Sequence, residues 1–413
     1  MEILFVTLVL TGMFIVLIKQ WSTPDLALFV TMSIFLLTGI ITVEEAFMGF
    51  ASTSVITIAL LFIIGYSVFK SGMLLRFLQQ FLKSNDKIST LVIKIMAPVS
   101  LLSGIMNNTP IVAMLTPTLR EWAEKHEIAA SKLLIPLSYA AILGGSITLY
   151  GSSTNLVVHG MLIDHGDKGF SIFEFAFIGI PLTLLGILYM AGIGHHLLPS
   201  LVPPQRLTHA PSLKKVRSSR HTWIVLLVLT AMIFSVTFHF LSIVKAALAG
   251  VILLLVTKSI RASEAKEAVN WSVVILMASA MGIGKAMENS GLTELFTTAM
   301  MQIYPFIGLA GITFLLYLAT MLLTEISHNI AAAVMMFPVG QTMAEQIEIE
   351  PKMFALVIAI SASCSFITPI GYQTNMIVYD AGGYQFKDFS RVGFGLSLLC
   401  ALCTVGLALL IWG

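Results

Sequence analysis

Residues 367–379 read ITPIGYQTNMIVY and lie inside one of the longest apolar stretches of the chain. Pro369, Gly371, Tyr372, Gln373, Thr374 and Asn375 follow almost back to back where an uninterrupted helix would be expected. A backbone N–H or C=O left unpaired in hydrocarbon costs several kcal/mol, so a break at such a place needs a partner for every freed group. The surrounding composition requires hydrocarbon: 57% of the 413 residues are hydrophobic, 11% are charged, and mean hydropathy is +0.94. Successive apolar runs of roughly 16 to 30 residues approach the ~20 that a helix needs to cross a bilayer. The chain therefore reads as an all-α polytopic membrane protein. Its net charge of +2 gives no reason to expect a nucleic-acid partner. No basic region precedes the first apolar run, so a cleaved signal peptide is not expected.

The broken stretch has a counterpart. GSSTNLVVHG (151–160) shares its Gly-x-x-Thr-Asn core with GYQTNMIVYD (371–380), and NNTPIVAMLTP (107–117) resembles HNIAAAVMMFP (328–338). Asn155 and Asn375 are 220 residues apart, Asn108 and Asn329 221, Gly72 and Gly291 219, and Ala46 and Ala268 222. Offsets this uniform indicate a duplicated chain, with halves 1–198 and 222–413 joined by a Pro-rich, basic linker at 199–221. In the first half the pattern predicts a hairpin at about 88–119 and a broken helix at about 133–163. The second half repeats these at about 303–344 and 353–380.

Charge sets the orientation. Lys70, Arg76, Lys83, Lys87 and Lys94 precede the first hairpin, and Arg120, Lys125 and Lys132 follow it. A re-entrant hairpin keeps both clusters on one side, as the positive-inside rule requires. Five transmembrane helices plus one re-entrant hairpin per half then place all but four of the 23 Lys and Arg (Lys168, Lys245, Lys285, Lys352) in the cytoplasm. The linker is cytoplasmic, both termini lie outside, and an odd number of spans turns the second half upside down. Two inverted repeats with paired breaks predict a secondary transporter whose site lies at mid-membrane. Half-helix N-termini suit an anion, while unwound carbonyls and hydroxyl or amide oxygens suit a hard cation such as Na⁺.

At these residues the sequence resembles the divalent anion/sodium symporter family of the ion transporter superfamily. The likeness covers nearly the whole chain, and ITPIGYQTNMIVYDAGGYQFKDF is most similar to the sulfate-type permease branch. The tips read Asn107-Asn108-Thr109 and His328-Asn329-Ile330 where the family has Ser-Asn-Thr. The resemblance implies one sodium ion held by Ser103, Asn107, Asn108 and the loop Gly151–Asn155. It implies a second held by Thr324, Asn329 and the loop Gly371–Asn375. A small divalent oxyanion, sulfate above all, would lie among Asn108, Thr109, Ser153, Thr154, Asn155, His328, Asn329, Gln373, Thr374 and Asn375. Elevator-type symport by a homodimer in the plasma or inner membrane is likewise implied, with Na⁺ as coupling ion and no organic cofactor.

Single residues keep alternatives open. Glu325, whose repeat mate is Gly104, either takes a cation or proton or ties the hairpin to a backbone donor. His328 either donates to the anion, makes transport pH-dependent, or simply packs. Lys285 reads as snorkelling to the outer interface. Cys400 and Cys403 spell C-x-x-C but lie one helical turn apart among small residues, as packing groups do. Competing functions are dicarboxylate or citrate symport, sodium/proton exchange, metalloid efflux and a passive anion channel. Catalysis is not expected, because no nucleophile–base pair or metal-ligand spacing occurs.

Overall fold

So apolar a chain can satisfy its backbone within hydrocarbon only by coiling each segment on itself, and the described residues form helices and no strand. The computed structural model describes residues 2–19, 21–71, 86–200, 219–238 and 240–413. The linker between 201 and 218 lies outside the described residues, as do Gly72, Arg76 and Lys83. The first half gives α1 (Glu2–Ile18), α2 (Pro24–Leu37), α3 (Val43–Ala51), α4 (Thr53–Lys70), α5 (Ile88–Ser103), α6 (Asn108–Lys125), α7 (Leu134–Gly145), α8 (Ser153–Asp164) and α9 (Ala176–Tyr189). The second gives α10 (Ser219–Thr237), α11 (Ile243–Val256), α12 (Ala262–Ala268), α13 (Trp271–Asn289), α14 (Leu292–Met301), α15 (Tyr304–Ile326), α16 (Asn329–Ile347), α17 (Pro351–Ser363), α18 (Gln373–Gly382) and α19 (Phe386–Trp412). Five spans among the described residues, such as Tyr304–Ile326 and Phe386–Trp412, are long and apolar enough to cross a membrane. The protein is a multi-pass integral membrane protein.

Length sets where the breaks fall. α7 and α8 have 12 residues each, α17 has 13 and α18 has 10. At 1.5 Å per residue each is roughly 15–20 Å long, about half of the ~30 Å hydrocarbon core. Each pair is long enough to cross only in combination, with its gap between the two members.

Two groups of helices pack around these gaps. In one, α5 lies along α7, α17 packs on α8, α15 and α16, and α18 packs on α6 and α7. In the other, α13 lies against α2 and α3, and α11 against α4 and α10. The groups meet where α13 crosses α16 and where α4 crosses α8. Lys70 pairs with Glu264, tying α4 to α12.

Three tyrosines bind the halves together within the first group. Tyr139 Oη donates to the Phe366 carbonyl at 2.6 Å and Tyr189 Oη to the Val392 carbonyl at 2.8 Å. Tyr384 Oη donates to the Ser131 carbonyl at 2.6 Å and accepts the Ile135 N–H at 3.1 Å. Tyr139 and Tyr384 anchor irregular or terminal backbone, and Tyr189 ties α9 to the inside of α19.

Candidate functional site

The hydrogen bonds around the gaps occur twice. Ser103 Oγ donates to the Ala141 carbonyl at 2.8 Å, and Thr324 Oγ1 donates to the Ala362 carbonyl at 2.7 Å. Asn155 Nδ2 holds the carbonyls of Gly145 and Thr148 at 3.1 and 3.0 Å, while Asn375 Nδ2 holds those of Ser365 and Thr368 at 2.9 and 3.3 Å. Thr148 Oγ1 donates to the Gly104 carbonyl and Thr368 Oγ1 to that of Glu325. Every second partner is the first displaced by 220 or 221 residues. In both halves a buried asparagine thus collects the carbonyls freed where the helix unwinds, and a hydroxyl fastens the loop to the hairpin tip.

Contacts between the halves are crossed. Thr109 Oγ1, on the first tip, donates to Gln373 Oε1 of the second loop at 3.1 Å. Asn329 Nδ2, on the second tip, donates to Thr154 Oγ1 of the first loop at 2.7 Å. Ser138 Oγ lies 2.8 Å from Thr374 Oγ1 and 2.7 Å from Asn375 Oδ1. Asn108, Thr154, Asn155, Thr374 and Asn375 are fully buried. Asn107, Thr109, Ser153, His328, Asn329 and Gln373 line one shared cavity of about 10 Å³. A cavity that size has room for about one water, so a tetrahedral anion enters only as the lining moves apart.

The surroundings of Asn108 fix the orientation of its amide. With nitrogen inward it donates to Ser103 Oγ at 2.6 Å and to the Ala141 and Gly151 carbonyls at 3.0 Å each, and its oxygen accepts from Tyr372 Oη at 2.7 Å. That orientation leaves no pair of acceptors face to face. Turning the amide over would put four oxygens together, the donor set that a hard cation takes. Ser103, Asn108 and Gly151 thus fit a sodium ion by chemistry, with the amide nitrogen as its internal substitute. In the second half the buried Ser365 Oγ lies close to Gly371, the Thr324 carbonyl and the Glu325 carboxylate. This too is an oxygen-rich setting.

The N-termini are less available than their dipoles suggest. Asn107 caps α6 through the Thr109 N–H, Ser152 caps α8 through Thr154, and His328 caps α16 through Ile330. Only α18 of these four half-helices begins without a side-chain cap.

Glu325 is a tie. Its Oε1 accepts the N–H groups of Phe366 and Ile367 at 2.9 Å each, and Oε2 accepts that of Thr368 at 2.8 Å. At the matching first-half positions Ser146 and Ile147 N–H bond instead to the carbonyls of Leu143 and Gly144, so Gly104 has no such task. Glu325→Ala is expected to leave three donors unmet at about 1–3 kcal/mol each, lowering the melting temperature and transport together. Glu325→Gln, which retains one acceptor, should retain measurable uptake. Equal loss in both variants would point to a role for the charge in coupling.

Other expectations resolve locally. Lys285 pairs with Glu288 at 2.6 Å, and Glu288 lies 3.6 Å from His165, so the lysine has partners beyond the interface. His159 Nδ1 accepts the Phe170 N–H at 2.8 Å, a structural use. Cys364, Cys400 and Cys403 are unbonded thiols. Ser138, Phe62 and Asn270 were not foreseen. Ser138 gives no repeat signal because its mate is Ala359, and Asn270 reads in sequence merely as the boundary before Trp271.

The family model of the citrate transporters matches residues 13–359. The chain belongs to the citrate transporter family. Among its relatives, an uncharacterized transporter of Synechocystis is 24% identical over 97% of this chain and 95% of its own length. Sodium/sulfate cotransporter 1 of Chlamydomonas reinhardtii is 33% identical, but over 45% of this chain and 22% of that protein. The crystal structure of the YdaH transporter of Alcanivorax borkumensis superposes with a TM-score of 0.64 at 15% identity, over 91% of this chain and 88% of that one. This citrate transporter family member shares that fold, and its role is transport.

Proposed function

We propose that the chain is a secondary transporter coupling sodium to uptake of a small divalent oxyanion, sulfate foremost. The observation that carries this reading is the crossed meeting of two tips and two loops at one polar cavity. That cavity has no Lys or Arg among its described lining residues. Neutral donors and helix ends hold a dianion incompletely, and cations in the adjoining oxygen-rich pockets complete its neutralisation. Ser103, Asn107, Asn108, Gly151 and Asn155 form the first cation site, and Thr324, Asn329, Gly371 and Asn375 the second. The relatives named as sodium/sulfate cotransporters in Chlamydomonas reinhardtii support the pairing of solute and ion.

The doubled hydrogen bonds support two repeats, and the distribution of Lys and Arg supports their opposite orientation, with the linker 199–221 cytoplasmic and the C-terminus outside. An elevator movement of the site-bearing helices against α1–α4 and α10–α14, in a homodimer of the cell's plasma or inner membrane, completes the proposal. Citrate is the second reading, favoured by the family description. Exchange of sodium for protons is disfavoured because the Glu325 carboxylate is committed to three backbone donors.

Purified protein in liposomes tests this. Radiolabelled sulfate should accumulate under an inward sodium gradient and not under potassium. Sodium-driven citrate accumulation without sulfate flux would establish the second reading instead.

A further inference from the structure

The nitrogen-bearing side chains along one side of the cavity share a polarity, opposite the oxygens of Thr109, Ser153, Asn329 and Tyr372. Asn107 Oδ1 accepts the Thr109 N–H at 3.4 Å, Asn270 Oδ1 the Val273 N–H at 3.3 Å, and Gln373 Oε1 the Thr109 hydroxyl at 3.1 Å. His328 Nδ1 accepts the Ile330 N–H at 3.4 Å, so the ring proton belongs on Nε2. In Asn270, Gln373 and His328 the acceptor atom is engaged and N–H is what remains, whereas Asn107, assigned above to the first cation site, turns its oxygen to the Thr109 N–H. His328 is 8% exposed, and its Nε2 has no partner among the described residues. α18 adds to the same side, because the N–H groups of its first turn meet no side-chain cap and Gln373 opens it. Asn329 is the converse case. Its nitrogen goes to Thr154 Oγ1, leaving an oxygen suited to the cation.

We propose that this cavity is a cradle of N–H donors selecting a tetrahedral oxyanion that carries no proton, and that Asn270 is one of its specificity-determining residues. The inference rests on the oxyanion-symport reading above. Sulfate presents only lone pairs at neutral pH, whereas hydrogenphosphate, of the same shape and charge, brings an O–H. Against the Asn270, His328 and Gln373 side of the cradle that O–H faces another donor, and a side built for one pattern disfavours the other. Asn270 comes from α13, outside the tips and loops, so the second helix group also supplies a group to the anion.

The test is competition against sodium-driven sulfate uptake in liposomes, with selenate and inorganic phosphate as probes. Selenate is expected to compete at concentrations similar to sulfate, and phosphate at least tenfold more weakly. Asn270→Ser keeps a side chain able to cap α13 but removes the amide donor. It should raise the sulfate KM at least fivefold with an unchanged melting temperature of the ligand-free protein. Asn270→Asp replaces the donor with a charged acceptor and should eliminate sulfate uptake. Phosphate competing as well as selenate, or Asn270→Ser with a wild-type sulfate KM, overturns the inference while leaving the oxyanion reading intact. Absence of any sodium-driven oxyanion uptake overturns that reading first.

Discussion

Asn375→Ala is expected to reduce coupled uptake at least 100-fold while the protein still reaches the membrane. The side chain is fully buried and holds three groups at once: the Ser365 and Thr368 carbonyls through Nδ2, and the Ser138 hydroxyl through Oδ1. Truncation leaves these groups unmet at about 1–3 kcal/mol apiece, enough to release the unwound segment. Asn375→Asp should do no better, because it places a second oxygen against two carbonyl oxygens. Asn155→Ala should be the milder change for stability, since Asn155 Oδ1 has no partner among the described residues to lose. Near-normal uptake by Asn375→Ala, measured at equal membrane abundance, would remove this loop from the site.

Gly371→Val is expected to be comparably damaging, for a reason of space. Gly371 and Gly151 are not among the glycines with positive φ, so left-handed backbone is not what excludes a side chain. A Cβ on Gly371 would meet Ser365 Oγ and approach the Thr324 carbonyl oxygen to 2.7 Å. On Gly151 it would approach the Gly145 and Ser103 carbonyl oxygens to 2.6 and 2.8 Å. In both halves the loop lies directly on the backbone of its own tip. Overpacking of this kind costs about 1–3 kcal/mol for one added group, more for a branched side chain. Sodium dependence is the sensitive readout, since pushing loop from tip separates the oxygens assigned to each cation. A Gly371→Val variant with unchanged apparent sodium affinity would count against those oxygens as ligands.

Much of this was readable from residues alone because membrane insertion makes backbone breaks expensive and therefore visible. Pro369-Ile-Gly371 and Gly151-Ser-Ser mark the gaps, and the recurrence of Thr-Asn at 154–155 and 374–375 marks the residues that repair them. Glu325 drew attention for the same reason, a carboxylate where none is cheap, though sequence left its partner open among ion, proton and backbone. What escaped were groups with no repeat mate. Ser138 looks like any small intramembrane hydroxyl until the second half folds against it, and Asn270 looks like a helix cap, which it also is. Capping of three half-helix starts by their own side chains was equally hidden, because Asn107, Ser152 and His328 serve through geometry that spacing does not reveal.

The crossed bonds carry an evolutionary consequence. Thr109 is answered by Gln373 and Asn329 by Thr154, so neither copy of the duplication keeps its own counterpart company. Drift at a position in one copy is felt by the other, and compensating changes should surface some 264 or 175 residues away rather than next door. Under the proposed duplication, neither half keeps a site of its own, and the two are held to change together.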